Sequence, residues 1–490
     1  LKINTEDTIV AISTPMGEGG IGIVRLSGRE AISIVSRLFI PRREKNLAIV
    51  KTFTIHYGHI YDRGKLVEEV LLGVMRAPYT YTREDVVEIS CHGGIVPLRK
   101  VLELCLREGA RLAEPGEFTL RAFLNGRIDL VQAEAVCDII RAKTDSALSC
   151  ALNQLEGHLS ITVNRIRQEI IDLLARIEAC VDYSEEEIPQ LSREDMVGRM
   201  EKISSGISEL LKSSHSGRIL REGLQTAIVG KPNVGKSSLL NALLEQDKAI
   251  VTPFPGTTRD VVEDIVNIFG IPTKIMDTAG IRHARDEIEI AGVERARRAI
   301  ELADLVLFVI DLSIPLSEED HLIRENLVGK RTILVANKCD LPEVVSEREI
   351  RELWASCLNG SRTEREPLSA EPATVQYSNP SILKNPPVIK VSATERIRIK
   401  DLRELIYHLF IKGEVSISDA VLVTNVRHQD GLVKAEESLT EGIQACKRNE
   451  SEEFISLYLR KALDALGEIV GETATEDILE AIFSKFCIGK

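Results

Sequence analysis

Between residues 224 and 244 the chain reads Leu224-Gln-Thr-Ala-Ile-Val229, then Gly230-Lys-Pro-Asn-Val-Gly235-Lys236-Ser237, then an apolar helix-like run from Ser238 to Leu244. No other feature restricts the fold as much. Glycines at this spacing, caught between a strand and a helix, form a tight loop whose backbone N–H groups converge in front of a helix N-terminus. Such a loop cradles phosphate: Lys236 can reach the terminal oxygens and Ser237 can ligate Mg²⁺. The segment around it must therefore be α/β. On its own the pattern also fits a plain glycine-rich strand–helix turn, so the loops downstream decide.

Four more short apolar runs follow, Thr273–Met276, Leu305–Ile310, Thr332–Ala336 and Val388–Val391, each with a turn signal after it. That alternation predicts a doubly wound, mostly parallel sheet. Asp277-Thr278-Ala279-Gly280 closes the first and suits a carboxylate near Mg²⁺ plus an amide that senses the γ-phosphate. Asn337-Lys338-Cys339-Asp340 closes another. A carboxylate there accepts from the guanine N1–H and N2–H₂ donors and meets no matching pair on adenine. Ser392-Ala393 closes the last and offers a backbone N–H to the guanine O6. Four such loops in this order define a GTPase of the translation-factor-related class.

Pro255-Gly256-Thr257-Thr258-Arg-Asp260 falls where a switch loop supplies a Thr hydroxyl to Mg²⁺. Directly after Gly280, where Ras-like enzymes carry a water-orienting glutamine, this chain has Ile281, so another group must hold the water. Arg282 and Arg285 are open as cis arginine fingers. The run Asp286-Glu287-Ile288-Glu289 offers carboxylates, of which Asp286 and Glu287 read better as an acidic helix start.

The rest of the chain divides by rhythm. Residues 1–122 read as mixed α/β, with strands at Thr8–Ser13 and Ile21–Leu26 across the turn run Pro15–Gly20, others at Val67–Met75 and Asp85–Ser90, and a helix over Leu98–Leu106. Over 123–217 long helices take over; Leu152, Leu155, Leu159, Val163, Ile166, Ile170, Leu173 and Ile177 predict one continuous apolar stripe of a bundle. The nucleotide unit spans 218–411. Within it, about 343–387 reads as a flexible insertion, a charged helix over Glu343–Leu358 followed by Ser-, Pro-, Glu- and Thr-rich sequence. Helices return over 412–490, at Ile417–Lys447, Glu452–Leu466 and Glu476–Phe486. The expected fold is multidomain, α/β plus all-α: an N-terminal α/β domain and a long-helix bundle into which a Ras-like doubly wound P-loop unit is inserted.

Charge and cysteine usage narrow the partners. With 62 Lys plus Arg against 75 Asp plus Glu, the 490 residues carry a net charge of −13, which counts against non-specific binding to DNA or an anionic membrane. Nine scattered cysteines without a C-x-x-C pair argue against a disulfide framework or a structural zinc. The N-terminus lacks a signal layout, and the most apolar strand-like stretch, Leu305–Ile310, is far too short for a bilayer. A cytoplasmic location is expected.

Three N-terminal stretches, Gly19-Gly-Ile-Gly-Ile-Val-Arg25-Leu-Ser-Gly28, Tyr79-Thr-Tyr-Thr-Arg-Glu-Asp-Val-Val-Glu88-Ile and Glu114-Pro-Gly-Glu-Phe-Thr-Leu-Arg-Ala-Phe-Leu-Asn-Gly-Arg127-Ile-Asp-Leu, join Asp277-Thr-Ala-Gly-Ile-Arg282 with Glu289 and the final Phe486-Cys487-Ile-Gly-Lys490. With the nucleotide loops, these resemble the MnmE (TrmE) family of tRNA-modifying GTPases over nearly the whole chain.

The resemblance implies a homodimer built on N-terminal domains that bind 5-formyl- or methylene-tetrahydrofolate, with Arg25, Glu88, Arg127 and Lys490 at the matching positions. A carboxylate suits a pterin's N–H donors, and cations suit the folate's glutamate tail. It implies GTP contacts from Asn233, Val234, Gly235, Lys236, Ser237 and Ser238, from Thr252, Pro253, Phe254, Pro255, Gly256, Thr257 and Thr258, and from the three later loops. Mg²⁺ falls to Ser237 and Thr258. K⁺, in place of an arginine finger, falls to Asn233, Thr252, Phe254 (through its carbonyl) and Thr257, while Glu289 takes the water-orienting position. The implied product is an aminomethyl or carboxymethylaminomethyl group on C5 of the wobble uridine of certain tRNAs. It is made with a partner, MnmG (GidA), to which the FAD and NADH chemistry belongs.

Cys487 is open between anchoring the tail and one-carbon chemistry; Gly489 and Lys490 do not fit a prenylation signal. Arg83, Leu120 and the long insertion depart from the family's usual pattern. The alternative, a ribosome-assembly GTPase switch, would need an RNA-binding module such as a KH domain, and no basic G-x-x-G loop follows the GTPase segment. Given the acidic chain, much of the tRNA grip is expected from MnmG.

Overall fold

The computed structural model describes residues 6–43, 46–182, 192–245, 264–277, 297–355, 385–410 and 421–490. The first strands are β1 (Ile9–Ile12), β2 (Gly19–Ser27), β3 (Phe39–Pro41), β4 (Thr54–Asp62), β5 (Lys65–Met75), β6 (Val86–Gly93) and β7 (Arg111–Leu112). They form one sheet in the order β3-β4-β5-β6-β2-β1-β7, antiparallel except for the β1–β7 pair. Alternation along β5 turns Val70, Leu72 and Val74 inward onto the helices Ala31–Leu38 and Ile95–Arg107, through Ile34, Val35, Leu98 and Val101. The opposite face stays open, with Ile55 on β4 and Leu66 and Leu71 on β5 exposed.

The second sheet comprises β8 (Leu224–Val229), β9 (Asp264–Ile268), β10 (Ile271–Asp277), β11 (Leu305–Asp311), β12 (Thr332–Asn337) and β13 (Val388–Lys390) in the order β13-β12-β11-β8-β10-β9. Only β9 runs antiparallel. Every residue of β11 is buried. Leu305, Leu307 and Val309 pack with the helices Lys236–Glu245 and Ile399–Phe410 on one side. Val306, Phe308 and Ile310 pack with Ile350, Leu353 and Trp354 of the helix Glu347–Ala355 on the other. Burial on both faces explains why these strands read as continuous apolar runs.

The helical body takes Leu130–Arg141, Asp145–Leu155, His158–Asp182 and Arg193–Glu222 from before the nucleotide unit, and Val426–Lys447 and Glu452–Val470 from after it. Val163, Ile170 and Ile177 meet Met200, Ile207, Leu439, Leu459 and Leu466 in one core, so the α/β unit is an insertion in an all-helical domain. Glu134 closes the body across the insertion. It accepts from Asn425 Nδ2 at 2.8 Å, Arg427 Nη2 at 2.7 Å and His428 Nε2 at 2.6 Å.

The structure corrects several boundaries. The predicted continuous stripe is two helices, broken at Gly157 (φ +89°), and Leu152 is 43% exposed. Gln132 Nε2 donates to Leu155 O at the break, which satisfies a carbonyl the helix end releases. The helix expected from Ile417 starts at Val426, where Asn425 accepts from Arg427 N; 411–420 lie outside the described residues. The helix Glu452–Val470 runs past Leu466 until Gly471, in the left-handed conformation, ends it. The segment read as a flexible insertion from 343 is part of the nucleotide unit up to 355: Lys390 pairs with Glu343 at 2.7 Å, and Val345, Ile350 and Trp354 are buried. Pro387 also belongs there, its carbonyl accepting from Leu334 N, while 356–384 lie outside the described residues.

Candidate functional site

Because β8 and β10–β13 are parallel, their carboxyl ends lie on one edge of the sheet, with Val229, Asp277, Asp311, Asn337 and Lys390 as the last strand residues. The chain leaves β8 toward β10 on one side and β11 on the other, and ligands of open α/β sheets bind at such a divergence.

The loop after β8 is shaped by backbone. At Gly230 (φ +153°) a Cβ would stand 2.5 Å from Val309 O, and at Gly235 (φ +96°) one would stand 2.3 Å from Asn337 Nδ2. Only glycine permits both approaches. Asn233, at φ +63°, is exposed, as are Ser237 and Ser238, whereas Val234 is buried beneath the loop. Lys236 Nζ donates to the carbonyls of Gly230 and Lys231, both at 2.8 Å, folding its ammonium over the loop mouth.

Asn337 ties the loops together. Its Nδ2 donates to Val234 O at 2.8 Å and its Oδ1 accepts from Ala393 N at 3.0 Å. Lys338 (φ +64°) reaches back to Asp311 Oδ2 at 2.6 Å, and Ser313 donates twice to Asp311 Oδ1. Burial works to raise the Asp311 pKa, but the bonds from Lys338 and Ser313 outweigh it and hold the carboxyl below its ordinary value. Asp340 is exposed beside them, and Ser392 Oγ accepts from Glu395 N at 3.2 Å. Lys231, Asp311 and Asp320 also belong to this edge, although no invariant motif position marks them in the sequence. Lys231 pairs with buried Asp320 at 2.8 Å and so pins the phosphate loop to the helix Glu318–Glu325.

Thr252, Pro253, Phe254, Pro255, Gly256, Thr257, Thr258, Thr278, Ala279, Gly280 and Glu289 lie outside the described residues. For Asp277 only its place at the end of β10 is described.

A second constellation forms where the C-terminal tail returns to the first sheet. Lys490 O accepts from Phe118 N at 3.2 Å, and Gly489 O accepts from Arg25 Nη1 at 3.2 Å. Arg25 on β2 and Glu88 on β6 are register partners; Arg25 Nε donates to Glu88 Oε1 at 2.8 Å and Nη2 lies 2.8 Å from the same oxygen. Among the described residues Glu88 Oε2 therefore keeps its acceptor capacity. Arg25 also stands 5.8 Å from the Phe118 ring centroid and Arg127 4.7 Å from that of Tyr81. The Tyr81 hydroxyl meets Thr119 Oγ1 at 2.9 Å. Burial and the nearby Arg25 guanidinium lower the Lys490 pKa, against an opposing pull from Glu88 and Cys487. Cys487 is exposed at this junction. All four predicted residues thus gather at one junction of the tail with the first sheet. Tyr81 and Phe118 were missed, although both sit in the quoted stretches; an aromatic within a run of charged and small residues was the available signal.

A doubly wound sheet with this phosphate loop and the asparagine-laced edge makes the chain a P-loop GTPase. The family described as GTP-binding protein TrmE N-terminus matches residues 8–127, and that described as MnmE helical domain matches residues 130–487. The tRNA modification GTPase MnmE of Thermoanaerobacter pseudethanolicus is 47% identical over 486 residues, covering 99% of both chains. The protein of the same description from Bacillus subtilis is 46% identical over 487 residues, 99% of this chain and all of that one. The chain belongs to the MnmE family of tRNA modification GTPases.

Proposed function

We propose that this chain is a potassium-activated GTPase acting on tRNA: as a homodimer with the flavin-containing partner MnmG, it installs an aminomethyl or carboxymethylaminomethyl group on C5 of the wobble uridine, U34. The observation that carries the reading is the end-to-end match to relatives described as tRNA modification GTPases, at 47% identity across 99% of the chain. It also removes the reason for a ribosome-assembly switch, because all three segments are accounted for. The layout is proposed as 1–122 for folate binding and dimerisation, 123–217 and 412–490 for the helical domain, and 218–411 for the GTPase. The open apolar face of β4 and β5 supports a second copy as its cover.

The nucleotide edge fits GTP and its cations. Lys236, bonded to two loop carbonyls, exchanges those acceptors for β- and γ-phosphate oxygens, and a loop before a helix N-terminus favours the same charge. Asn337 keeps the loop of Val234 aligned with that of Ala393, whose N–H donates to Asn337 Oδ1, while Asp340 accepts from the guanine N–H donors. The exposed Ser237 hydroxyl and Asn233 amide oxygen are hard oxygen donors of the kind Mg²⁺ and K⁺ take. When bound, the cations neutralise charge developing on the transferred phosphoryl group. By resemblance, Thr258 completes the Mg²⁺ set, Thr252, Phe254 and Thr257 the K⁺ set, and Glu289 orients the water.

The tail pocket fits a reduced folate. Glu88 Oε2 accepts from pterin N–H groups, Tyr81 and Phe118 offer ring faces, and Arg127 and Lys490 suit a glutamate tail. A folate bound there supplies the one-carbon unit, and the FAD and NADH chemistry stays with the partner. The test is mass spectrometry of wobble nucleosides from tRNA of a deletion strain, with GTP hydrolysis compared in K⁺ and Na⁺ at equal ionic strength. Loss of the 5-substituted uridines and faster turnover in K⁺ are expected. Unchanged nucleosides defeat the tRNA reading, and equal rates defeat the potassium assignment.

A further inference from the structure

Between the nucleotide unit and the helical body lies a cleft of about 790 Å³, bounded by the helices Leu130–Arg141 and Asp145–Leu155, the end of the helix Arg193–Glu222, and strands β9 and β10. Arg141, Lys143, Arg221, Lys274 and Lys485 line it. Among the described residues its lining holds two carboxylates, Asp138 and Glu222, and the pair of Asp138 with Arg221 at 2.8 Å cancels one charge of each sign. In a chain of net charge −13 this is a local reversal of sign. Concave walls of low dielectric concentrate such a potential.

The cations come from the helix Leu130–Arg141 and the turn after it, the helix Arg193–Glu222, strand β10 and the tail. Arg141 Nη2 donates to Lys485 O at 2.5 Å, which fixes the tail where it passes the mouth of the cleft. Neither Lys143 nor Lys485 is ion-paired among the described residues, and Lys143 is exposed beside Arg141. Lys485 stands two residues before Cys487 and five before Lys490, so the cleft leads toward the tail pocket. Strand β10, which carries Lys274, ends at Asp277 on the nucleotide edge.

We infer that this cleft grips the phosphodiester backbone of RNA. Ammonium and guanidinium groups are donors without acceptors, which matches phosphate oxygens and carries no base information. The inference rests on the proposed action on tRNA, and it gives this chain a share of a grip that its overall charge opposes. It also places RNA beside the strand that ends at Asp277 and the tail that ends at Lys490.

The test measures tRNA binding to the full-length chain by fluorescence anisotropy from 50 to 200 mM salt, for wild type, the double variant Lys143→Glu/Lys485→Glu and the conservative Lys143→Arg/Lys485→Arg. The Glu variant should bind at least tenfold more weakly, and its log–log salt slope should shrink by about 1.4–1.8, the release expected for two lost phosphate contacts. The Arg variant should bind like wild type, and all three should hydrolyse GTP at one rate. Equal affinity and slope in the Glu variant overturn the cleft assignment and leave the tRNA reading standing. Failure of wild type to bind any tRNA also overturns the cleft assignment, while the tRNA reading falls only with unchanged wobble nucleosides in the deletion strain. Displacement of tRNA from wild type by polyglutamate or by millimolar inorganic phosphate, as readily as by competitor RNA, overturns the assignment to RNA in favour of an acidic polypeptide or a small anion.

Discussion

Lys231 Nζ lies 2.8 Å from Asp320 Oδ2, a contact across 89 residues that joins the phosphate loop to the start of the helix Glu318–Glu325. Asp320 is fully buried and also accepts from Ser317 N at 2.9 Å, so one carboxylate caps the helix and holds the loop. Removing it leaves an ammonium buried with only Pro315 O and Ser317 Oγ, each at 3.4 Å. Asp320→Ala should lose about 3–5 kcal/mol in urea unfolding. The KM for GTP should rise more than kcat falls, since Lys231 never faces the reacting phosphate. The double variant Lys231→Met/Asp320→Leu should recover most of the stability; no recovery would assign the loss to capping alone.

Asn337 is the other tie, and it can be cut from either end. Asn337→Ala strands the Val234 carbonyl and the Ala393 amide, at about 1–3 kcal/mol for each buried group left unpaired. Gly235→Ala attacks the same contact from the loop, because its Cβ would fall 2.3 Å from Asn337 Nδ2. Both variants should weaken GTP and GDP binding together by tenfold or more in nucleotide titrations. A loss confined to GTP would show that the γ-phosphate side of the loop was disturbed instead.

What the sequence made legible, and what it hid, divides by distance along the chain. The buried parallel strands announce themselves as apolar runs, and each nucleotide loop is a local motif at a strand end. Strand β4 has no such run, since Thr54–Asp62 mixes His56, Gly58 and His59 with apolar residues, and the sheet's order supplies its partners. Gly157 sits inside an unbroken apolar period, which periodicity cannot register as a break. Leu120, read as a departure, is buried against the cluster of Ile482, Phe483 and Phe486, a contact that exists only because the tail returns. The pairing of Arg25 with Gly489 spans 464 residues. Resemblance brought those positions together; composition and spacing could not.

Acid should unlock the helical body through Glu134. Burial works to raise its pKa, but His428 and Arg427 hold it down to about 2. A carboxylate whose pKa falls on folding contributes stability that is present above its unfolded value, near 4.5, and is lost as pH drops toward about 2. Asp7 and Glu117, bonded to Arg111 and Arg121, are shifted the same way. Asp138, raised by burial, opposes them in part. Denaturant midpoints should therefore decline steeply below pH 4.5. In Glu134→Gln the neutral-pH stability should fall by about 3 kcal/mol and the decline should flatten. An unchanged pH slope would move the acid sensitivity to the Arg121 network.

The tail separates the proposed folate binding most sharply from GTP hydrolysis. Gly489 has φ +95°, and a Cβ on it would stand 2.5 Å from Ile12 O, a strand backbone atom that cannot yield. Gly489→Ala must therefore lift the tail, breaking the bond from Arg25 to its carbonyl and carrying Lys490 away from Glu88. The neighbouring Ile488 is 51% exposed, so Ile488→Ala alters composition at the same place without that clash. Calorimetric titration with 5-formyl-tetrahydrofolate should show at least a tenfold loss for Gly489→Ala and wild-type affinity for Ile488→Ala. GTP turnover should be intact in both, because no residue of the nucleotide edge touches the tail among the described contacts. Equal folate affinity in the two variants would place the binding pocket away from the tail and leave Arg25 and Glu88 as an ordinary cross-strand ion pair.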